Sequence, residues 1–172
     1  MQVKVSFAAD TSVLVAFSGV EQMTLLRAIT GRIAIPAAVR RELVDNGVGW
    51  LAAREAQESI KRADWIVTFD LAKESIRVID GPNIDLGERE VVSLDVALQC
   101  TPLIDEKTGR RAAETIALRP IGTLGLLRIA KERRLIERVG LLLKAMIHHS
   151  NLRYGDRLLR QFMNRIGERW PP

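Results

Sequence analysis

Two periods of apolar positions run along the chain and divide it into short strands and longer helices. Val3-Lys4-Val5-Ser6-Phe7-Ala8-Ala9 is rich in β-formers and predicts a strand that stops at Asp10-Thr11-Ser12. The apolar run Val13-Leu14-Val15 then predicts entry into a helix, with Asp10 at its mouth. From Glu21 to Thr30, apolar residues at Met23, Leu25, Leu26, Ala28 and Ile29 predict a helix closed by Gly31. Arg32-Ile33-Ala34-Ile35 reads as a short buried strand. Pro36 opens the next helix, Ala37 to Val44, because a first-turn proline lacks only an N–H that would be unpaired there.

The second half continues the alternation. Trp50 to Ala63 predicts a helix whose polar face holds Arg54, Glu55, Glu58, Lys61 and Arg62, and Trp65 to Phe69 predicts a strand. Asp80-Gly81-Pro82-Asn83 is a turn-rich break. Gly87 to Gln99 predicts a helix that buries Val91, Val92, Leu94, Val96, Ala97 and Leu98. Leu103-Ile104 reads as a strand ending in Asp105-Glu106, with Gly109 as a tight turn before a helix from Arg110 to Ile116. Ala117 to Ile121 reads as an edge strand, since Pro120 cannot donate to a central ladder. Three helices follow, at Gly122 to Arg133, Ile136 to His148 and Tyr154 to Ile166. Strands alternating with helices and then helices alone predict an α/β fold.

Composition narrows the class. At 172 residues the chain is long enough for one domain with a substantial core, and 47% hydrophobic with 27% charged residues describes a soluble globular protein. Aromatics are only 5%, which argues against a binder built on rows of stacking rings. The net charge of +5 suits a polyanionic partner, with nucleic acid among the choices. Cys100 is the sole cysteine, so no intrachain disulfide forms, and its setting predicts a small buried apolar residue. Asp10 interrupts the first apolar run before it resembles a signal peptide, and no window reaches a membrane span. The cytoplasm is the expected location.

Four acids stand at comparable places. Asp10 and Asp105 leave strand ends, Glu42 lies on the helix after Pro36, and Glu88 opens the Gly87 helix. Ligands of open parallel sheets gather beyond the carboxyl ends of the strands. Each acid also has a plain explanation. Asp10 or Ser12 caps a helix, Glu42 pairs with Arg40 or Arg41, and Glu88 sits on a helix dipole. Brought together, four carboxylates would resist joint ionisation unless a cation joined them, and hard oxygen ligands favour Mg²⁺ or Mn²⁺. Such an ion orients and activates water and neutralises charge on a scissile phosphate, with Arg110 or Arg111 placed for phosphate oxygens.

The order of motifs resembles the PIN domain nucleases, most closely the branch related to the toxins of bacterial and archaeal toxin–antitoxin pairs. The matching stretches are Ala9-Asp10-Thr11-Ser12-Val13-Leu14, then Ile35-Pro36 through Glu42-Leu43, then Leu86-Gly87-Glu88-Arg89-Glu90 with Leu94 and Ala97, then Leu103 through Ala113. Gly122-Thr123-Leu124-Gly125-Leu126-Leu127 with Ala130-Lys131 resembles a further helix of that branch. The resemblance spans roughly residues 5 to 145, leaving a C-terminal helical extension from about 146 to 172. It implies a three-layer α/β/α sandwich on a mainly parallel sheet, and metal-dependent cleavage of RNA. It implies Asp10, Glu42, Glu88 and Asp105 as catalytic and metal-binding residues, with a hydroxyl from Thr11 or Ser12 beside the metal and supporting roles for Glu106 and Arg110. Glu106 stands where many relatives carry Asp, which bears on a second metal more than on the first. The implied partners are an RNA substrate, an antitoxin protein and a second copy of the chain.

Other candidates carry less. His148 and His149 are adjacent and diverge on a helix, a poor geometry for zinc. Asp95, seven residues after Glu88, projects on about the same helix face and is a further candidate for the site. Glu90 is left out of it. Lys131-Glu132-Arg133-Arg134 reads as a solvated helix end or an RNA-facing patch. The last helix carries Arg157, Arg160 and Arg165, with Arg153 just before it, beside a stripe that suits core or a dimer seam. The rival readings are a non-catalytic nucleic-acid-binding module on the same fold and an α/β regulatory protein whose acids are caps and ion pairs.

Overall fold

The computed structural model describes residues 5–47, 49–70, 86–150 and 152–172, with the side chains of 86–88 left out. The break at Asp80 to Asn83 and the first residues of the initial strand lie outside the described residues. The elements run β1 (Phe7–Ala9), α1 (Thr11–Ser18), α2 (Met23–Thr30), β2 (Ile33–Pro36), α3 (Ala37–Arg40), α4 (Arg54–Arg62), β3 (Ile66–Phe69), α5 (Leu86–Leu98), β4 (Thr101–Leu103), α6 (Lys107–Thr115), α7 (Thr123–Glu132), α8 (Val139–His149) and α9 (Asp156–Arg165).

Among the described residues, four strands form one parallel sheet in the order β3-β2-β1-β4. The chain winds from β1 outward to β3 and then returns to place β4 on the other side of β1. That reversal opens a crevice between β1 and β4 at their carboxyl ends. Phe7 pairs with both Ile33 and Thr101, and Ala9 pairs with Leu103. The fold is therefore α/β, as the alternation predicts, and it is consistent with the PIN-like sandwich.

Side-chain alternation assigns the two faces. Ala8 and Ala34 are register partners and pack with Leu94 and Leu98 of α5. Small residues there let the helix approach the sheet closely. On the other face, Ala9, Ile33 and Ile35 join a larger core with Leu14 and Phe17 of α1, Leu26 of α2, Leu126 of α7, Leu143 of α8 and Met163 of α9. The stripe of α9 is thus core at Leu159, Phe162 and Met163, while Leu158 stays exposed.

Several boundaries differ from expectation for definite reasons. The helix α2 begins at Met23 because Glu21 takes a left-handed φ of 57°. The helix carrying Glu42 passes after one α turn into a π turn over Arg41–Asp45. The segment after Trp50 starts as a 3-10 turn, Leu51–Ala53, before α4. Gly109 is buried inside the first turn of α6 and makes no turn ahead of it. The edge strand from Ala117 reduces to a single parallel bridge of Ile121 to Leu103, since Ala117 has a φ of 63° and Pro120 offers no N–H. No helix among the described residues is long and apolar enough to cross a membrane.

Candidate active site

Asp10 is the first residue beyond β1, tied to β4 by its N–H on the Leu103 carbonyl at 3.1 Å. Its carboxylate caps α1. Oδ1 accepts the Ser12 N–H at 2.7 Å, the Ser12 hydroxyl at 2.6 Å and the Val13 N–H at 3.3 Å. The capping explanation is therefore correct as far as it goes. It accounts for one oxygen; Oδ2 accepts no hydrogen bond among the described residues. Burial pushes the Asp10 carboxyl up to about 7, against the pull of the Ser12 hydroxyl, and the charge of Asp105 adds to the rise.

Asp105 lies two residues past β4, on the other side of the crevice. Its Oδ1 accepts the Thr123 N–H at 2.8 Å and the Tyr154 hydroxyl at 3.0 Å, and its Oδ2 accepts the Thr123 hydroxyl at 2.6 Å. The N-terminus of α7 thus points at a carboxylate, as its dipole favours. Gly122 makes that approach feasible, because a Cβ there would stand 2.7 Å from Asp105 Oδ1. Burial pushes the Tyr154 phenol up, and the charge of Asp105 and its hydrogen bond push the same way, so the hydroxyl stays a donor.

Glu42 stands exposed on the π turn, where the widened helix re-aims it. Its Oε2 accepts the Thr11 hydroxyl at 2.6 Å. Its expected local pairing with Arg40 or Arg41 does not form: Arg40 pairs with Asp45 and Arg41 with Glu90. Asp10, Thr11, Ser12, Glu42, Asp105, Glu106 and Arg110 all line one cleft of about 1300 Å³. Arg110 is anchored by a 3.1 Å bond to the Ile104 carbonyl, and Lys107, Arg111, Arg128 and Arg153 complete a cationic wall.

The family described as DUF3368: PIN domain matches residues 6–168. The chain belongs to the PIN domain family. No curated protein matches it.

PIN domains commonly bind divalent metals. In this PIN domain the metal-donor side chains along the cleft among the described residues are hard oxygens, and the second oxygen of Asp10 accepts no hydrogen bond from them, which fits Mg²⁺ or Mn²⁺. Among the described residues no three acids, histidines or cysteines draw close enough to hold a metal ion by themselves. Glu88 lies on α5, and its side chain is outside the described residues.

One other reading changes, and one is decided between its two alternatives. Asp95 does not line the cleft; it is fully buried, and its Oδ1 takes the Cys100 thiol at 3.1 Å. Asp95 sits instead beside Cys100, which packs in the cluster of Ala8, Ala34 and Leu94. Glu132, Arg133 and Arg134 are exposed where α7 ends, a solvated helix end, and Lys131 and Arg133 are each engaged by the chain. Lys131 pairs with Glu168 at 2.8 Å and also donates to the Glu137 carbonyl, and Arg133 donates to the Ile29 carbonyl at 2.8 Å.

Glu90, set aside on sequence grounds, is buried and shapes the site indirectly. Its Oε2 accepts the Ala38 N–H at 2.9 Å, and Oε1 meets Arg41 at 3.8 Å. It therefore caps α3 and positions the segment that carries Glu42. Sequence reasoning also missed Tyr154 and the role of Thr123. Thr123 had a signal in the Gly122-Thr123 motif, whereas nothing local to Tyr154 points 49 residues back to Asp105.

Proposed function

We propose that this PIN domain protein is a metal-dependent endoribonuclease that hydrolyses RNA phosphodiester bonds, acting as the toxin of a toxin–antitoxin pair. The observation that carries the reading is the buried Asp10 beside Asp105 at the crevice between β1 and β4, under a wall of arginines. Asp10 and Asp105 would hold Mg²⁺ or Mn²⁺, with Glu42 and Glu88 completing the ligand set. The ion supplies an activated water and neutralises charge on the phosphate.

The chain's own residues do the rest. Thr123 and Tyr154 fix the Asp105 carboxylate, and the Ser12 groups fix that of Asp10. Thr11 holds Glu42 toward the cleft. Arg110 and Arg111 meet the phosphate oxygens, and Glu106 supports the rim. An antitoxin protein and a second copy of the chain are the proposed protein partners.

The test is cleavage of single-stranded and structured RNA with Mn²⁺. Cleavage is expected to vanish with a chelator and to fall at least about 100-fold in Asp10→Asn, in line with the loss of a principal transition-state electrostatic group. Undiminished cleavage by wild type in chelator would sink the reading. A second reading, a non-catalytic RNA-binding module, is favoured by one observation: both Asp105 oxygens already accept protein donors. It predicts salt-sensitive RNA binding with no metal-dependent cleavage.

A further inference from the structure

The chain has three tryptophans, and they are not equivalent. Trp65 is buried in the main core, and Trp170 packs against that core. Trp50 joins neither core cluster and is 38% exposed. Its backbone is nonetheless fixed. Its N–H donates to Gly47 at 3.0 Å, and its carbonyl accepts from Ala53 at 3.0 Å. An indole left this exposed at a surface forgoes part of the burial that its apolar area favours.

Trp50 stands on the boundary of two cavities. One is the cleft that holds Asp10 and Asp105. The other is a side pocket of about 140 Å³, lined by Val15, Trp50, Ala52, His148, His149 and Ser150. Val15, Trp50 and Ser150 line both, so the pocket adjoins the cleft. Val15 is one helical turn beyond Thr11 and Ser12, which puts the pocket a short step from the proposed reacting centre.

The lining matches one chemistry. The indole supplies a flat apolar face, and the histidine rings meet edge to face with centroids 4.8 Å apart. The Ser150 hydroxyl is committed to the Met146 carbonyl, while neither imidazole has a hydrogen-bonded partner among the described residues. An aromatic face beside ring N–H donors and acceptors is how proteins seat an unstacked base. A volume of about 140 Å³ is on the scale of one base and not of a duplex. We propose that this side pocket binds a single nucleobase of single-stranded RNA, stacked on Trp50 and read at its edge by His148 and His149. The proposal deepens the reading of the cleft as an RNA site and rests on it.

The test is binding of short 2′-O-methyl oligonucleotides of each base, uncleavable and measured in EDTA so that catalysis plays no part. Tryptophan fluorescence should quench on binding in wild type and not in Trp50→Phe. Trp50→Ala should bind about tenfold more weakly or worse, with Trp50→Phe staying within about threefold of wild type. His148→Ala with His149→Ala should level the preference among the four bases. Unchanged affinity in Trp50→Ala, with wild type still binding, overturns the pocket and leaves the nuclease reading standing. Trp50-dependent binding by a protein that never cleaves RNA with Mn²⁺ upholds the pocket and overturns the nuclease. No binding of any oligonucleotide overturns the pocket.

Discussion

Asp105 depends on two side chains, and each can be removed without opening a cavity. Hydrogen bonds to a charged group contribute about 1.5–3 kcal/mol. Thr123→Val should therefore lower unfolding free energy by about 1–3 kcal/mol in denaturant titration, and RNA cleavage should fall more than about tenfold as the carboxylate loses its orientation. Tyr154→Phe should do the same more mildly, because the Thr123 N–H still reaches that oxygen. Asp95 carries a pH prediction. Burial pushes it up to about 8 from 3.8, the Cys100 thiol pulling the other way, and its Oδ2 is buried without a partner among the described residues. Between those values the native state holds a proton that the unfolded chain has released. Stability from this group is complete below about pH 4 and is lost as pH rises to about 8, by up to about 1.4 kcal/mol per unit. Asp10, pushed up to about 7, adds the same sign. Asp95→Asn should therefore flatten, without abolishing, the decline measured by urea unfolding between pH 5 and 8. An unaltered slope would remove Asp95 from the account.

Helix ends show a recurring device. The helices α2, α3, α7 and α8 have no side-chain cap of their own. Each takes a carboxylate from a remote element instead. Glu55 accepts from Met23 at 3.3 Å, Glu90 from Ala38, Asp105 from Thr123, and Glu168 from Val139 and Gly140 at 2.9 Å each. Despite its desolvation, Glu168 is held below the usual carboxylate range by Lys131 and these two N–H groups. Losing a cap costs about 0.5–2 kcal/mol. Glu90→Ala should thus lower stability by about that amount and loosen the turn bearing Glu42. Cleavage should fall several-fold, while Glu90→Gln, which keeps an acceptor, should recover most of it. The apolar faces of these helices were legible from periodicity, as Leu126 with Leu127 and Leu159 with Met163 show. Their caps were not, because each partner lies between 18 and 52 residues away in sequence.

The whole molecule brings cations to the cleft from three regions: Arg110 and Arg111 on α6, Arg128 on α7, and Arg153 ahead of α9. With a chain charge of +5, RNA affinity should fall linearly in log–log form with salt, each neutralised phosphate contributing a slope of about −0.7. Arg111→Ala with Arg128→Ala should reduce the slope by about 1.4 in fluorescence anisotropy titrations. The same substitutions should leave thermal stability nearly unchanged, since both residues are exposed. A lost affinity with an unchanged slope would mean that these arginines act through folding.

By itself the sequence determined the α/β class, the strand ends that carry Asp10 and Asp105, and the family that those motifs share. Local periodicity and strand-end chemistry are written within a few residues of each position, so they can be read there. Only the tertiary structure decided which acids share a cleft and which merely close a helix. Glu90 and Asp95 lie five residues apart on one helix, yet one caps α3 and the other is buried against Cys100. The order β3-β2-β1-β4 is what sets Asp10 beside Asp105, 95 residues on, and brings Tyr154 to the same carboxylate. A carboxylate's role follows from its desolvation and its partners, and both are properties of the packed chain.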